Sequence, residues 1–444
     1  MQKPSPARAV TALVLVLALV AAACSGGRDE GQTATTGPSG TAGEQEGAFT
    51  IDTANCESYK PTQGITEDSI TFGSSFPQSG LYAAFAKISV GYEAYFRYLN
   101  ATEGGVGGKQ IKVITRNDEY LPERTLTNTQ ELVQNEGVFA MFNVVGTPNN
   151  LAIRDELADQ CVPNLFVATG SPLWGEVDAY PWLIGSIPSY ATESAIFADY
   201  LKKNKPNAKV AVLYQNDDFG ESYLTAFRAA IDGTDIEVVS TASYNPTDPE
   251  PRDQITTLAA SGADTALLAA TALKCPQSLN LIRESNWNPT IYISATCTSN
   301  TVVGLAQPGA NDGVLSSIYL KDPSDPQWAD DPAMQQFQQY GAQYGISQED
   351  LRNGIVGYGW TMGALLAETL RRSPELTRQA VMQTAYSLQD VQVGLLLPGI
   401  TINTNGAQDP FPIEQMQIGR YNGQYWELQG QLTSFEGTSG QFVR

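Results

Sequence analysis

Residues 209–223 read KVAVLYQNDDFGESY, which has the form of a buried strand followed by a turn and a helix. The apolar run Lys209–Tyr214 favours a strand that is covered on both faces, as in a parallel sheet. The polar turn that follows it leads into apolar residues at helical spacing over Gly220–Ile231. A strand that passes directly into a helix is the repeating unit of α/β proteins. This stretch therefore predicts an α/β fold.

Similar units lie on both sides of this stretch, in two series. The first is predicted from strands Ser69–Gly73, Ile111–Thr115, Val138–Asn143 and Pro163–Val167, alternating with helices Ala83–Asn100, Thr125–Asn135 and Pro148–Ala158. The second adds strands Ile236–Thr241, Thr265–Ala269 and Thr290–Ser294, and helices Glu193–Lys203, Asp253–Ser261 and Pro276–Glu284. Two complete series predict two Rossmann-like lobes, each with a parallel central sheet.

Later segments are assigned to these two lobes. Helices are predicted near Ala333–Tyr344 and over Leu351–Arg371, and a terminal hairpin over Met416–Gly419 and Gln424–Leu428. A hairpin of this size does not stand alone, so it is expected to pack on a lobe. We expect lobe I to comprise residues 49–187 and 317–390, and lobe II residues 188–316 and 391–444.

The first 48 residues have the features of an export signal and a tether. Lys3 and Arg8 precede an apolar run over residues 9–23, too short for a membrane span and typical of a secretory signal. The run ends in AAAC, which resembles a lipobox and predicts cleavage before Cys24 and its acylation. An ordinary signal peptide with an incidental cysteine is the alternative. Residues 24–48, poor in apolar side chains, predict a flexible tether, so that only lipid would hold the chain at a membrane.

Composition excludes several classes of function. The formal net charge of −21 becomes −23 once Lys3 and Arg8 are removed, and so acidic a surface disfavours a nucleic-acid partner. The absence of histidine removes the Ser-His triad and histidine metal sites. We find no P-loop, G-x-S-x-G or dinucleotide-binding motif, so we expect no cofactor and no metal.

Four cysteines remain after Cys24 is set aside. An even number in an exported chain indicates disulfides, for which three pairings are open. We predict Cys56–Cys161 and Cys275–Cys297, because each pair then lies within one expected lobe. Free buried thiols are the alternative.

The loops that follow the predicted strands contain the candidate binding residues. Ligands of open parallel sheets bind beyond the carboxyl ends of the strands, where helix N-termini point outward. Small hydroxyl residues and aromatic rings recur in these loops and suit a polar solute, although turn formation and capping alone would explain any single loop. The predicted ligand-binding residues are Ser79, Tyr82, Gly146, Thr147, Ala168, Thr169, Gly170, Ser171, Trp174, Phe219, Thr271 and Thr296.

The order of several segments resembles a known family. SITFGSSFPQSG, YLNATEGGVGGKQIKVITRND, VFAMFNVVGTPNN, CVPNLFVATGSPLWG and AVLYQNDDFGESY together resemble type I periplasmic solute-binding proteins of the branched-chain amino-acid class, over roughly residues 65–388. The resemblance implies two lobes that are joined by three crossovers and close on a ligand by hinge motion.

The resemblance also implies particular ligand contacts. They match Gly146-Thr147, Ala168 through Ser171, and Phe219, where Tyr is commoner. The region after Ser294, where amino-acid binders have an acid for the ligand ammonium, reads ATCT and offers no carboxylate. Ligands other than amino acids therefore stay open.

Three functions follow as hypotheses. The first is a lipid-anchored extracytoplasmic receptor that passes a small polar solute, such as an amino acid or amide, to the permease of an ABC importer. The second is a sensor that reports ligand occupancy to a signalling partner. The third is a cleft enzyme with paired acids such as Asp217 and Asp218, although adjacent acids on a loop more often cap a helix or face solvent.

Overall fold

The computed structural model describes residues 49–439. The predicted signal peptide over residues 1–23, the acylated Cys24 and the tether over residues 24–48 all lie outside this range. Within residues 49–439, no helix is long and apolar enough to cross a lipid bilayer. Phe49 begins a compact unit that contains both sheets of the fold.

The first sheet has five parallel strands in the order β2-β1-β3-β4-β5. They are β1 (Ser69–Phe76), β2 (Gln110–Asn117), β3 (Met141–Phe142), β4 (Asn164–Val167) and β5 (Leu183–Gly185). Helices α1 (Lys87–Glu103), α2 (Pro122–Gln130) and α3 (Thr147–Asp159) connect them, and α2 continues as a π-helical turn, Glu131–Asn135.

Helix α1 is tightly packed against a later helix, α10 (Gly354–Arg372). A Cβ atom on Gly91 would lie 2.1 Å from the carbonyl oxygen of Val356, and one on Gly359 would lie 2.0 Å from that of Ile88. The two helix backbones therefore approach as closely as they do because glycine occupies both positions. This contact brings a segment distant in the sequence onto the first sheet.

The second sheet has seven strands in the order β12-β11-β10-β9-β8-β6-β7. They are β6 (Lys209–Gln215), β7 (Glu237–Tyr244), β8 (Thr265–Ala269), β9 (Thr290–Ile293), β10 (Leu315–Ile318), β11 (Gln415–Tyr421) and β12 (Trp426–Ser434). Strands β6 to β10 pair in parallel, whereas β11 and β12 form the predicted hairpin and add to the edge of β10 antiparallel. The prediction of two α/β lobes with parallel central sheets is confirmed.

The remaining helices cover the faces of the sheets or follow α10. They are α4 (Tyr190–Asn204), α5 (Asp218–Ile231), α6 (Arg252–Ala259), α7 (Lys274–Glu284), α8 (Asn300–Val303), α9 (Pro332–Gln343) and α11 (Arg378–Ala385). The sequence did not predict β5, β10, α8 or α11, which are too short to show a clear hydrophobic period.

The chain passes between the two sheets three times. The first is between β5 and α4. The second, at Tyr319–Lys321, pairs with the third, at Leu395–Leu397, because Lys321 and Leu397 donate backbone hydrogen bonds to Leu395 and Tyr319 at 2.7 and 2.9 Å. Since β10 ends at Ile318 within the second sheet, we propose that the second lobe boundary lies at these residues rather than at 316/317.

Both disulfides of the predicted pairing are present. The Cα atoms of Cys56 and Cys161 are 5.5 Å apart, and those of Cys275 and Cys297 are 6.0 Å apart. The first links the segment before β1 to the end of α3. The second links α7 to the loop after β9, at the edge of the cavity described next.

Candidate ligand-binding site

A cavity of about 1100 Å³, its open mouth included, lies between the carboxyl ends of the two sheets and extends along the three crossing segments. Eighteen of its twenty-eight lining residues are aliphatic or aromatic. The lining residues are Phe85, Ile88, Tyr120, Val145, Gly146, Ala168, Ile187, Tyr190, Phe219, Thr271, Ala295, Thr296, Thr298, Ser299, Ile318, Tyr319, Leu320, Lys321, Asp322, Asp325, Gln327, Trp328, Gly354, Ile355, Tyr358, Leu397, Trp426 and Leu428. The cavity therefore combines an apolar surface with a few polar groups, as is common for ligand sites.

Five of the predicted ligand-binding residues line this cavity, and we call them the strand-end wall: Gly146, Ala168, Phe219, Thr271 and Thr296. They come from five different segments, each of which follows a parallel strand, and Phe219 lies in the first turn of α5. Gly146 has a φ of 99°, and a Cβ there would lie 2.7 Å from the ring of Tyr120. Glycine is therefore required where this wall meets that ring.

Three further predicted residues lie directly behind the strand-end wall. The hydroxyl groups of Thr147 and Thr169 share a hydrogen bond of 2.5 Å, and Thr169 also bonds the hydroxyl of Tyr190 at 3.1 Å. The indole N–H of Trp174 donates to the Thr169 carbonyl at 3.0 Å. Thr147, Thr169 and Trp174 do not border the cavity, and their polar groups hold one another and the lining residue Tyr190.

Gly170 and Ser171 shape the same loop. The amide of Tyr190 donates to the Gly170 carbonyl at 2.7 Å, and a Cβ on Gly170 would lie 2.3 Å from the carbonyl of Pro188. The Ser171 hydroxyl caps a short 3₁₀ turn by accepting from the Leu173 amide at 3.3 Å. Both residues thus fasten the end of β4 to the first crossing segment without reaching the cavity.

Tyr82 joins the two sheets across the cleft. Its ring stacks on Tyr120 with centroids 4.1 Å apart, and its hydroxyl donates to Gln215 Oε1 at 2.7 Å. Tyr82 follows β1 of the first sheet, whereas Gln215 ends β6 of the second. Tyr244, at the end of β7, donates to the same oxygen at 3.2 Å. Ser79, by contrast, is exposed and accepts from Asn117.

The paired acids Asp217 and Asp218 have structural surroundings. Asp217 caps α5 by accepting from the amides of Phe219 and Gly220 at 3.1 and 3.3 Å, while Asp218 is exposed. Burial raises the pKa of Asp217 despite these hydrogen bonds. Neither carboxylate lines the cavity. A Cβ on Gly220 would lie 2.0 Å from the Gln215 carbonyl, so the D-D-F-G stretch encodes a cap and a tight turn.

A buried acid that the sequence did not single out supports the strand-end wall. Glu193, on the first turn of α4, accepts from the hydroxyls of Tyr223 and Tyr292 at 2.7 and 3.2 Å and from the amide of Ala295 at 2.8 Å. Burial raises its pKa to about 7, although these three donors favour the ionised form. In the sequence it looks like an ordinary first-turn acid. In the structure it fixes Ala295, a residue of the cavity lining.

Another part of the cavity lining consists of residues that no motif indicated. We call the following set the hinge-side wall: Tyr319, Leu320, Lys321, Asp322, Asp325, Gln327, Trp328, Ile355, Tyr358, Leu397, Trp426 and Leu428. Two of its rings are fixed by hydrogen bonds. The Tyr358 hydroxyl bonds Ser186 Oγ at 2.6 Å, and the Trp426 indole donates to the Thr298 carbonyl at 2.7 Å.

The charged groups of the cavity all lie in the hinge-side wall. Lys321 is paired with Asp331, Nζ to Oδ2 at 2.7 Å. Asp325 accepts from both the backbone and the side chain of Gln327. Asp322 Oδ1 accepts from the amide and hydroxyl of Ser324 at 2.8 and 2.7 Å.

A separate acidic cluster lies outside the cavity. Ligand oxygens of Asp409, Glu414 and Glu436 are within 4.8 Å of one another. Burial, and next the charge of Glu414, raises the pKa of Asp409 to about 8. Glu414 already accepts from the amides of Gly437 and Ser439. These contacts fasten the end of the described chain to the segment before β11.

Comparison with known proteins identifies the family. The sequence model of a family described as periplasmic binding protein matches residues 69–424, most of the chain. The chain belongs to this periplasmic binding protein family. The resemblance to type I periplasmic binding proteins of the branched-chain amino-acid class is thereby confirmed.

One curated relative and two solved structures show how far the similarity extends. The chain is 26% identical over 197 residues to Leu/Ile/Val-binding protein homolog 3 of Brucella melitensis, a match that covers 44% of this chain and only about half, 52%, of the relative. A fatty acid ABC transporter substrate-binding protein from Thermomonospora curvata superposes with a TM-score of 0.74 at 19% identity, over 87% of this chain and 99% of the other. A branched-chain amino-acid ABC transporter protein from Thermus thermophilus with bound valine gives 0.73 at 16% identity, over 83% and 97%. At these identities the two structures establish the fold of this periplasmic binding protein.

Proposed function

We propose that this periplasmic binding protein captures one small solute, such as an amino acid, an amide or a related compound, in the cavity between its two sheets. The observation that carries the proposal is the cavity itself, which is bordered by the loops after five parallel strands from both sheets. Loops at this edge present helix N-termini and backbone amides to a ligand. The apolar majority of the lining supplies contact area for the rest of the solute.

Closure of the two lobes on the solute is supported by the contact between Tyr82 and Gln215. This hydrogen bond links residues that follow or end a strand in each of the two sheets. Short crossing segments between two lobes, such as the antiparallel pair formed by the second and third passages, are suited to absorb a hinge rotation. A ligand that contacts both walls would favour the conformation in which this bond is made.

Delivery to the permease of an ABC importer, with Cys24 as a lipid anchor, completes the proposed function. The support is the AAAC stretch with its preceding apolar run, together with relatives whose names place them in ABC transport. The acidic body would be kept near the membrane surface by lipid alone. The Thermus protein holds valine and the Thermomonospora protein is named for fatty acids, so both solute types belong in a test.

A thermal-shift screen of the full chain tests solute capture. Amino acids, amides, aromatic acids, polyols and fatty acids are the probes, and at least one class is expected to raise the melting temperature. Ala168→Phe, which places a ring in the cavity, should abolish that rise. Ala260→Phe is the matched control on an exposed helix end and should leave it intact. A chain that no probe stabilises, or a rise that Ala168→Phe leaves unchanged, contradicts the proposal.

Membrane fractionation with mass spectrometry tests the anchor. Cells that express the full chain should show it in the membrane fraction, with a diacylglyceryl mass on a peptide beginning at Cys24. Cys24→Ala should move the protein to the soluble extracytoplasmic or secreted fraction. Equal membrane retention of the variant would contradict lipid anchoring.

A further inference from the structure

One carboxylate oxygen of the hinge-side wall has no partner. Asp322 directly follows the second crossing segment and borders the cavity. Its Oδ1 atom is bound by Ser324, whereas its Oδ2 atom is buried and has no hydrogen-bond partner within residues 49–439. A buried carboxylate oxygen without a donor costs free energy, and such atoms in folded proteins usually have a partner. A ligand in the cavity could supply the donor.

The surroundings of Asp322 favour a positively charged donor. The ammonium group of Lys321, the basic side chain of the described lining, is already paired with Asp331. Asp325 adds a second negative charge close by, and exposed Arg352 offsets it only in part. Burial, the largest cause, raises the pKa of Asp322 above its usual range, so a cation beside it would restore the ionised form.

Large apolar side chains line the same cavity as Asp322. They include Trp328, Ile355, Trp426 and Leu428. A free ammonium ion or a strongly hydrated polyol would leave these surfaces uncovered. A ligand with an aliphatic or aromatic body would cover them and gain from their burial.

We propose that Asp322 is a specificity-determining residue that pairs with a protonated amine on a ligand whose body is mainly apolar. This inference rests on the proposed solute-binding function and names the chemical class of the solute. The amine replaces the missing donor at Oδ2, and the aromatic and aliphatic side chains around it exclude water from the pair. A charge-assisted hydrogen bond in such a setting is stronger than a neutral one.

Calorimetric titration of the full chain with matched probes tests the proposal. The probes are octylamine, 1-octanol and octanoate, and 3-phenylpropylamine with its corresponding alcohol and acid. In the wild type, each amine should bind at least about tenfold more tightly than the alcohol and acid of the same skeleton. Asp322→Asn should remove that preference by weakening amine binding about tenfold while changing alcohol binding less than about twofold.

Asp330→Asn is the matched control. It removes an equal charge eight residues further along the chain, from an exposed side chain that does not line the cavity. A direct pair with Asp322 predicts less than about threefold weakening of amine binding in this variant. If amine binding weakens equally in both variants, it depends on the summed negative charge of this region rather than on a direct pair between Asp322 and the amine. That result would overturn the proposal. Melting temperatures of the ligand-free variants confirm that each is folded.

Different binding results would overturn the role of Asp322 and the proposed solute-binding function. If amino acids, amides or acids bind with high affinity and the amines show no preference, the amine assignment is overturned and solute capture stands. If the amines bind equally well to the wild type and Asp322→Asn, the role of Asp322 is overturned. If no solute of any class binds, both proposals fail.

Discussion

The strand-end wall and the hinge-side wall of the cavity are built on different principles. Behind the strand-end wall, polar groups satisfy one another: Thr147 bonds Thr169, Thr169 bonds Tyr190, and Glu193 accepts three donors. The hinge-side wall combines rings and aliphatic side chains with Asp322, one oxygen of which has no hydrogen-bond partner among residues 49–439. The hydroxyl groups of Thr147, Thr169 and Tyr190 behind the first wall therefore already have hydrogen-bond partners. In the second wall, a hydrogen-bond donor on a ligand can bind Asp322 Oδ2.

This contrast changes the interpretation of the strand-end residues. Hydroxyl residues after strands looked like direct ligand contacts, yet Thr147, Thr169 and Ser171 lie behind the cavity surface. Their role in the structure is to hold the loops in place, which is itself a requirement for selective binding because a preorganised site loses less entropy. Stability and affinity should therefore respond differently to changes in the two walls.

Removal of the disulfides should give the largest effects. Loop-closure entropy predicts a loss of about 5 kcal/mol for Cys56→Ser with Cys161→Ser, and about 3 kcal/mol for Cys275→Ser with Cys297→Ser. Because Cys297 lies between the lining residues Thr296 and Thr298, only the second pair should also weaken ligand binding. Denaturant titration and calorimetry measure the two effects. Unchanged affinity without the Cys275–Cys297 link would mean that the strand-end wall holds its shape without it.

The pH dependence of the unfolding free energy should reveal the raised pKa of Glu193. Its pKa of about 7 in the folded chain exceeds the ordinary value of 4.5, so the folded state holds the proton more tightly. The associated stability is fully present below pH 4.5 and is lost as the pH rises to about 7, a change of roughly 3 kcal/mol. Glu193→Gln should lose less stability than the wild type between pH 5 and pH 8. If the unfolding free energies of the wild type and of Glu193→Gln depend on pH in the same way, the pKa of Glu193 is not raised in the folded chain, which would contradict this prediction.

Thr169→Val tests whether Thr169 supports the cavity wall or contacts the solute directly. The substitution leaves the hydroxyls of Thr147 and Tyr190 without their buried partner, which should cost about 2 kcal/mol of stability. Because Thr169 does not border the cavity, solute affinity should fall less than about threefold at a temperature where the variant is fully folded. Denaturant unfolding and calorimetry on the same sample provide both numbers. Loss of binding with unchanged stability would place Thr169 in direct contact with the solute.

Tyr82→Phe should have the smallest effect on stability and a selective effect on closure. It removes the hydrogen bond to Gln215 across the cleft but keeps the ring on Tyr120. One hydrogen bond of about 1 kcal/mol corresponds to about a fivefold loss of affinity if it forms only in the closed state. Tyr244→Phe is the control, because that hydroxyl reaches the same oxygen from within the second sheet. Equal losses of affinity in the two variants would exclude a role specific to closure.

The fold and one wall of the site could be predicted from the sequence for a definite physical reason. Strands such as Lys209–Tyr214 have a strong apolar pattern, and parallel strands place the loops that follow them at one edge. Gly146, Ala168, Phe219, Thr271 and Thr296 were found on that basis.

The hinge-side wall could not be predicted in this way. Asp322, Trp328, Ile355 and Trp426 come from four segments that only the tertiary fold brings together, and none belongs to a local motif. The short strand β10 shows no clear period in the sequence. Helix α10 was predicted, but its close packing on α1 is a long-range contact that no local pattern reveals. Glu193 was missed because a first-turn acid in a helix is common, and only burial distinguishes it.

A crystal structure of the chain with the most stabilising solute from the thermal-shift screen would test solute capture between the two walls most directly. One solute per chain should lie between the two sheets, in contact with Phe219 and Thr296 at one end. At the other end, a nitrogen of the solute should lie within hydrogen-bonding distance of Asp322 Oδ2. A solute bound outside the cavity, or one that leaves both walls untouched, would contradict it.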